Sequence, residues 1–94
     1  MDPAAFERAA RFLRTYAEEA QRRGHELPVP AISVGPKGSV DVFWRLGEFE
    51  LLVNIPCDAE QPAPFYGDDR SSVIRGELGA DPSTRLLAWL IPTA

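Results

Sequence analysis

Gly35-Pro36-Lys37-Gly38-Ser39-Val40-Asp41-Val42-Phe43-Trp44-Arg45-Leu46-Gly47-Glu48-Phe49-Glu50-Leu51-Leu52-Val53-Asn54-Ile55 alternates apolar and polar residues on either side of two turns. With Ala31–Gly35 before it, the stretch reads as three antiparallel strands. Gly35-Pro36-Lys37-Gly38-Ser39 fits a type I turn with proline at the first corner and Gly38 in the left-handed position that closes a G1 bulge. Such a bulge pairs Gly35 with Ser39, Val34 with Val40 and Ile32 with Val42, so the apolar residues of both strands share a face. A plain two-residue turn would set Val34 against Ser39 and split that set. The next connection, around Leu46-Gly47, joins Ser39–Arg45 to Glu48–Ile55, and a loop of even length pairs Trp44 with Phe49, Val42 with Leu51 and Val40 with Val53. One side of the meander then carries Ile32, Val34, Val40, Val42, Trp44, Phe49, Leu51, Val53 and Ile55. The other carries Ser33, Asp41, Phe43, Arg45, Glu48, Glu50, Leu52 and Asn54, with Arg45 facing Glu48 across the turn and Phe43 and Leu52 as diagonal apolar neighbours on a polar face.

Outward from the meander, Asp2-Pro3 is an N-cap followed by proline at the first helical position, and Gly24 is a stop, which predicts a helix over residues 3–23. Its apolar stripe is Ala5, Phe6, Ala9, Phe12, Leu13, Tyr16 and Ala20, the natural cover for the apolar sheet face. The other side of this helix holds Arg8, Arg11, Arg14, Arg22 and Arg23 among acids, with Glu7–Arg11, Glu18–Arg22 and Glu19–Arg23 at i,i+4 spacing. Pro56 to Pro64 reads as a loop, Phe65–Gly67 and Val73–Leu78 as two shorter strands, and Pro82–Leu90, after the start signal Asp81-Pro82-Ser83, as a short C-terminal helix, with an edge strand as the competing reading. The fold class is α+β: one domain over residues 1–94, an N-terminal helix on an antiparallel sheet of about five strands.

Composition narrows function by exclusion. Ninety-four residues suffice for one core without staples. Cys57 is the only cysteine and His25 the only histidine, so neither an internal disulfide nor a Cys/His zinc site is available. A net charge of −4 argues against nucleic acid as the main partner. No apolar run approaches the ~18 residues of a membrane span, and Met1-Asp2-Pro3-Ala4 lacks the basic and apolar segments of a signal peptide, so a cytoplasmic location is expected. No cofactor is implied, since glycine-rich phosphate loops are absent.

Tyr66-Gly67-Asp68-Asp69 has the same four letters as the catalytic hairpin of RNA-dependent RNA polymerases. Two-metal phosphoryl transfer needs a further carboxylate and a fold that grips template and nucleotide, for which this chain has no room. A smaller version is a divalent cation held by Asp68 and Asp69, with Asp41 or Glu77 completing it. The competing reading is that the aspartates satisfy turn backbone. A nucleophilic site would have to join His25 to Cys57, Ser71 or Ser72, and no spacing supports that.

The string Gly38-Ser39-Val40-Asp41, then Trp44, Glu50-Leu51-Leu52-Val53-Asn54-Ile55-Pro56, Phe65-Tyr66-Gly67-Asp68-Asp69 and Arg75-Gly76 resembles an uncharacterised group of small bacterial proteins over residues 30–79. The resemblance implies a bacterial stand-alone domain and no activity or site residue. On the residues themselves, an apolar pair rimmed by charge is the composition of a protein-contact patch. Phe43 and Leu52, with Asp41, Arg45, Glu48 and Glu50 around them, are the candidate partner-binding residues of a non-catalytic module. The concrete form is an antitoxin- or immunity-type inhibitor that presents acids to a basic partner such as a nuclease, or else a self-associating protein. The rival is a small-ligand or metal site near Tyr66–Asp69. The 56–64 loop or the Leu86–Leu90 segment, folded over Phe43, would convert the patch into a second core.

Overall fold

The computed structural model describes residues 2–79 and 84–91. The first helix, α1, runs Pro3–Arg22. The Asp2 carboxylate accepts from the Ala4 N–H at 2.8 Å, and the Asp2 N–H donates to the Gly38 carbonyl at 3.1 Å, which pins the helix start to the first hairpin turn. The other end closes as a Schellman pair, with the His25 N–H on the Ala20 carbonyl and the Gly24 N–H on that of Gln21. Glu19 takes both Arg22 and Arg23, at 3.0 and 3.4 Å. Arg22 is thus paired at i,i+3, not with Glu18 as the spacing predicts.

Five strands follow in chain order as a pure antiparallel meander: β1 (Ala31–Val34), β2 (Val40–Leu46), β3 (Phe49–Ile55), β4 (Pro64–Asp68) and β5 (Val73–Glu77). The first hairpin has the predicted register, Val34 opposite Val40 and Ile32 opposite Val42. Its turn differs from prediction. Lys37 (φ +55°) and Gly38 (φ +80°) are both left-handed, and the Ser39 N–H returns to the Pro36 carbonyl, which is the type I′ pattern with two positive-φ corners.

The second hairpin corrects the predicted pairing by two residues. Trp44 lies opposite Leu51, Val42 opposite Val53 and Val40 opposite Ile55, around a two-residue turn of Gly47 and Glu48. Gly47 has φ +67°. A type II′ turn places glycine at its first central position, which moves the turn one residue beyond Leu46-Gly47. A slip of two preserves side-chain direction, so the faces stand as read. Arg45 consequently sits opposite Glu50, not Glu48.

The second helix, α2 (Thr84–Leu90), settles the C-terminal segment as helical; its start signal at residues 81–83 lies outside the described residues. Ala5, Ala9, Tyr16 and Ala20 of α1, Val40, Val42, Trp44, Leu51, Val53 and Ile55 of the sheet, and Leu86, Leu87 and Leu90 of α2 make one core, with Phe12, Leu13 and Phe49 packed at its margin. Arg8 ties the long loop after β3 to the helical layer. Its guanidinium donates to the carbonyls of Pro56 (3.2 Å), Asp58 (3.1 Å) and Gln61 (2.9 Å), charge-assisted bonds that give the proline-rich segment its backbone partners.

Three residues expected in the core are not enclosed. Ile32 and Val34 point to the helical side but are 46% and 63% exposed, and Phe6 is 53% exposed. Strand spacing of ~4.8 Å explains the two β1 residues: a helix ~10 Å across covers about two strands, and α1 contacts β2 and β3, which leaves β1 as an open edge.

Candidate functional site

The face of the sheet away from the helices carries one straight row across all five strands: Ala31 opposite Phe43, Phe43 opposite Leu52, Leu52 opposite Tyr66 and Tyr66 opposite Arg75. Phe43 and Leu52 are therefore direct cross-strand partners, not the diagonal pair that the shifted register implied. The inward aromatic is Trp44, fully buried, and Phe43 is half-buried on the open side. Leu52 and Tyr66 are 39% and 45% exposed. The Arg75 guanidinium lies over the Tyr66 ring, Cζ at 5.6 Å from its centroid, and closes the row.

Polar rows flank the apolar one. On one side Ser33, Asp41 and Asn54 are in register. The Asn54 amide donates to Asp41 Oδ1 at 2.8 Å and to Ser39 Oγ at 3.0 Å, and the Ser39 hydroxyl donates to the Pro36 carbonyl at 2.7 Å. On the other side Arg45, Glu50, Asp68 and Val73 are in register. Arg45 Nε donates to Glu50 Oε1 at 2.9 Å with Nη2 on the same oxygen, and Arg70 reaches Glu48 at 3.2 Å. The first rim is a fixed amide–carboxylate network; the second is a set of exposed ion pairs, each worth only ~0–1 kcal/mol and open to exchange of partners.

Neither segment that could have hidden this face does so. The loop after β3 is held by Arg8 on the helical side, and Trp89 packs on Phe49 at 4.9 Å while Leu86, Leu87 and Leu90 enter the main core.

The two aspartates of the Tyr66–Asp69 string part company. Asp68 ends β4 on the open face, in line with Glu50, whereas Asp69 Oδ1 accepts from the Ser71 and Ser72 N–H groups at 3.1 and 2.8 Å and from both hydroxyls at 3.0 Å. Asp69 is thus used as a turn cap, the role these residues commonly play. Among the described residues no three of His, Cys, Asp and Glu gather as a metal-binding group. The possible nucleophiles are also dispersed. His25 follows the end of α1, whereas the Cys57 thiol donates to the Lys37 carbonyl at 3.7 Å, beside the turn that meets the start of α1. The length of α1 separates them by about 30 Å. A recess of ≈310 Å³ between α1 and the loop after β3 is lined by Arg8, Arg11, Thr15, Tyr16 and apolar groups, without an acid, imidazole or thiol.

The cap makes a pH prediction. Hydrogen bonds, first from the Ser72 N–H and then from its hydroxyl, hold the Asp69 carboxyl below its ordinary 3.8. A depressed folded value means that the turn's contribution is present above the ordinary carboxylate range and lost as pH falls through the lowered value. Following the Asp69 side-chain carbon by NMR should show a midpoint under 3.8 with the Ser71 and Ser72 amides shifting in step; a midpoint at or above the ordinary value would contradict the cap.

Sequence reasoning missed Tyr66 and Arg75 as members of the row. The signal was present in β4, where Phe65 and Gly67 alternate with Tyr66 and Asp68, but it needed the β3–β4 register to place Tyr66 beside Leu52. Comparison with protein-family models, curated proteins and solved structures finds no match for this chain, so the functional reading rests on the geometry of this face.

Proposed function

We propose that the chain is a non-catalytic protein-binding module and that the open sheet face is its docking surface. The observation that carries this is the row Phe43–Leu52–Tyr66: three large side chains aligned across the middle of the sheet, solvent-facing and bordered by charge on both sides. An apolar centre inside a polar rim is the anatomy of a protein interface, and aromatic side chains are its usual anchors.

The partner suited to this rim is basic. Asp41, Glu48, Glu50 and Asp68 all lie on or beside the face, and the chain carries −4 overall. Glu50 and Glu48 are occupied by Arg45 and Arg70. Because exposed pairs contribute little, an incoming lysine or arginine can replace either partner at small cost, as an inhibitor of a nuclease-like protein would require.

The test is affinity capture from the native cell with wild type, Phe43→Asp and Leu52→Glu in parallel, each checked for folding by circular dichroism. A basic protein retained by wild type and lost by both folded variants is the expected result. Equal retention by all three would remove the open face as the docking surface. Melting with added magnesium or manganese is the companion measurement: a raised melting temperature would favour the small-ligand alternative, since a ligand of the native state must stabilise it.

A further inference from the structure

We propose that β1 is a self-pairing edge, and that two copies of the chain join antiparallel through it about a two-fold axis at Ser33. Three independent features of the edge meet at that residue. The sequence is near-symmetric about it: Pro30-Ala31-Ile32-Ser33-Val34-Gly35-Pro36 places β-branched residues one step away, small residues two steps away and prolines three steps away on either side. A two-fold interface must be complementary to itself, and a segment that reads alike from both ends satisfies that condition.

The backbone agrees. The Gly35 N–H donates to the Ser39 carbonyl and so points toward β2, and by the alternation of a strand Ser33 and Ala31 also direct their groups toward β2. Ile32 and Val34 then direct theirs outward, to the open side. With Ser33 opposite Ser33 of a second copy, Ile32 falls opposite Val34 in both directions. Both become hydrogen-bonded pairs, and the outward groups of each strand are satisfied by the other. Pro30 and Pro36 come next in that register, and neither has an N–H, so the ladder ends there. The same prolines restrict pairing to this one short segment, which distinguishes a defined dimer from open-ended stacking of edges.

The side chains supply the third feature. Residues 27–36 hold no charge, in a chain of net charge −4, so two copies can approach along this strip. Ile32 and Val34, exposed on the helical side, would meet their counterparts across the seam. A two-fold axis normal to the sheet puts both α1 helices on that same side, flanking the new apolar floor. The seam is smaller than the ~800 Å² per partner of a standard interface, so the dimer exchanges with monomer and forms only at high protein concentration.

A register-specific cross-link tests this in a Cys57→Ser background. In the proposed pairing the two Ser33 residues form a non-hydrogen-bonded pair with Cα atoms ~4.5 Å apart, within disulfide reach, whereas the two Ala31 residues are four steps out of register. Ser33→Cys should give a disulfide dimer on mild oxidation at least tenfold faster than Ala31→Cys. Sedimentation velocity of the unmodified chain should show mass rising toward the dimer from low to several hundred micromolar, and Val34→Lys should stay monomeric throughout. A monomer at every concentration, or equal cross-linking of the two cysteine variants, would overturn the proposal. Dimerisation that survives Val34→Lys but is lost in Phe43→Asp would also overturn it, by placing the second copy on the open face; failure here leaves the capture experiment unaffected.

Discussion

Trp44→Ala should cost about 3–5 kcal/mol, the range for truncating a fully enclosed large aromatic. Trp44 is fully buried at the middle of β2, with the Phe12 ring edge-on at 6.2 Å and its indole N–H donating to the Pro28 carbonyl at 2.8 Å. Alanine leaves a cavity between α1 and the sheet and orphans the carbonyl of the segment that carries the chain from α1 into β1. A domain of this size has roughly 5–14 kcal/mol in total, so much of the margin is removed. Thermal melting should fall by roughly 15–30 °C. Trp44→Phe isolates the hydrogen bond, because it keeps most of the packing and should cost only ~1–3 kcal/mol. If alanine cost under ~1 kcal/mol, the ring could not be enclosed as described.

The second large effect is expected at Gly67. A Cβ there would stand 2.9 Å from the Glu50 carbonyl oxygen, 3.1 Å from Leu51 Cδ1 and 3.3 Å from Ile74 Cγ1. The first of these is backbone of the neighbouring strand, which can retreat only by opening the β3–β4 ladder. Replacing glycine within a strand ordinarily gains ~0.5–1 kcal/mol, and valine is a favourable strand residue; overpacking of ~1–3 kcal/mol or more works against this and outweighs it. Gly67→Val should therefore lower stability by about 2 kcal/mol, and Gly67→Ala by ~1, read as the shift in urea midpoint at constant slope. A neutral or stabilising valine would show that β3 and β4 are not in van der Waals contact at this point. The glycine of the Tyr66–Asp69 string thus has a packing reason that involves no metal.

The faces of the meander were legible in the sequence because side-chain direction has period two, and any error of two residues leaves it intact. Such an error occurred at Gly47, and it changed neighbours without changing faces: Arg45 acquired Glu50, and Phe43 came directly opposite Leu52. What alternation cannot report is whether a face is covered. Ile32 and Val34 carry the pattern of core residues, yet the width of one helix does not reach them. Tyr66 was out of reach for a related reason, since the long loop after β3 carries no turn signal that fixes a register. Of the candidate site, the anchor residues were readable from the exceptions they make on a polar face; the state of the acids was not, because the Asn54–Asp41 and Arg70–Glu48 contacts depend on side-chain reach between strands and turns.

Each strand of the sheet bonds only to its neighbours in the chain, so the sheet can zip from one hairpin to the next with little entropy lost to long loops. The Arg8 guanidinium is different, since its carbonyl partners lie about fifty positions further along the chain. Those bonds can form only once the loop after β3 has come against α1. The arginine accordingly acts as a late latch, with little influence on how fast the molecule assembles and more on how long it stays assembled.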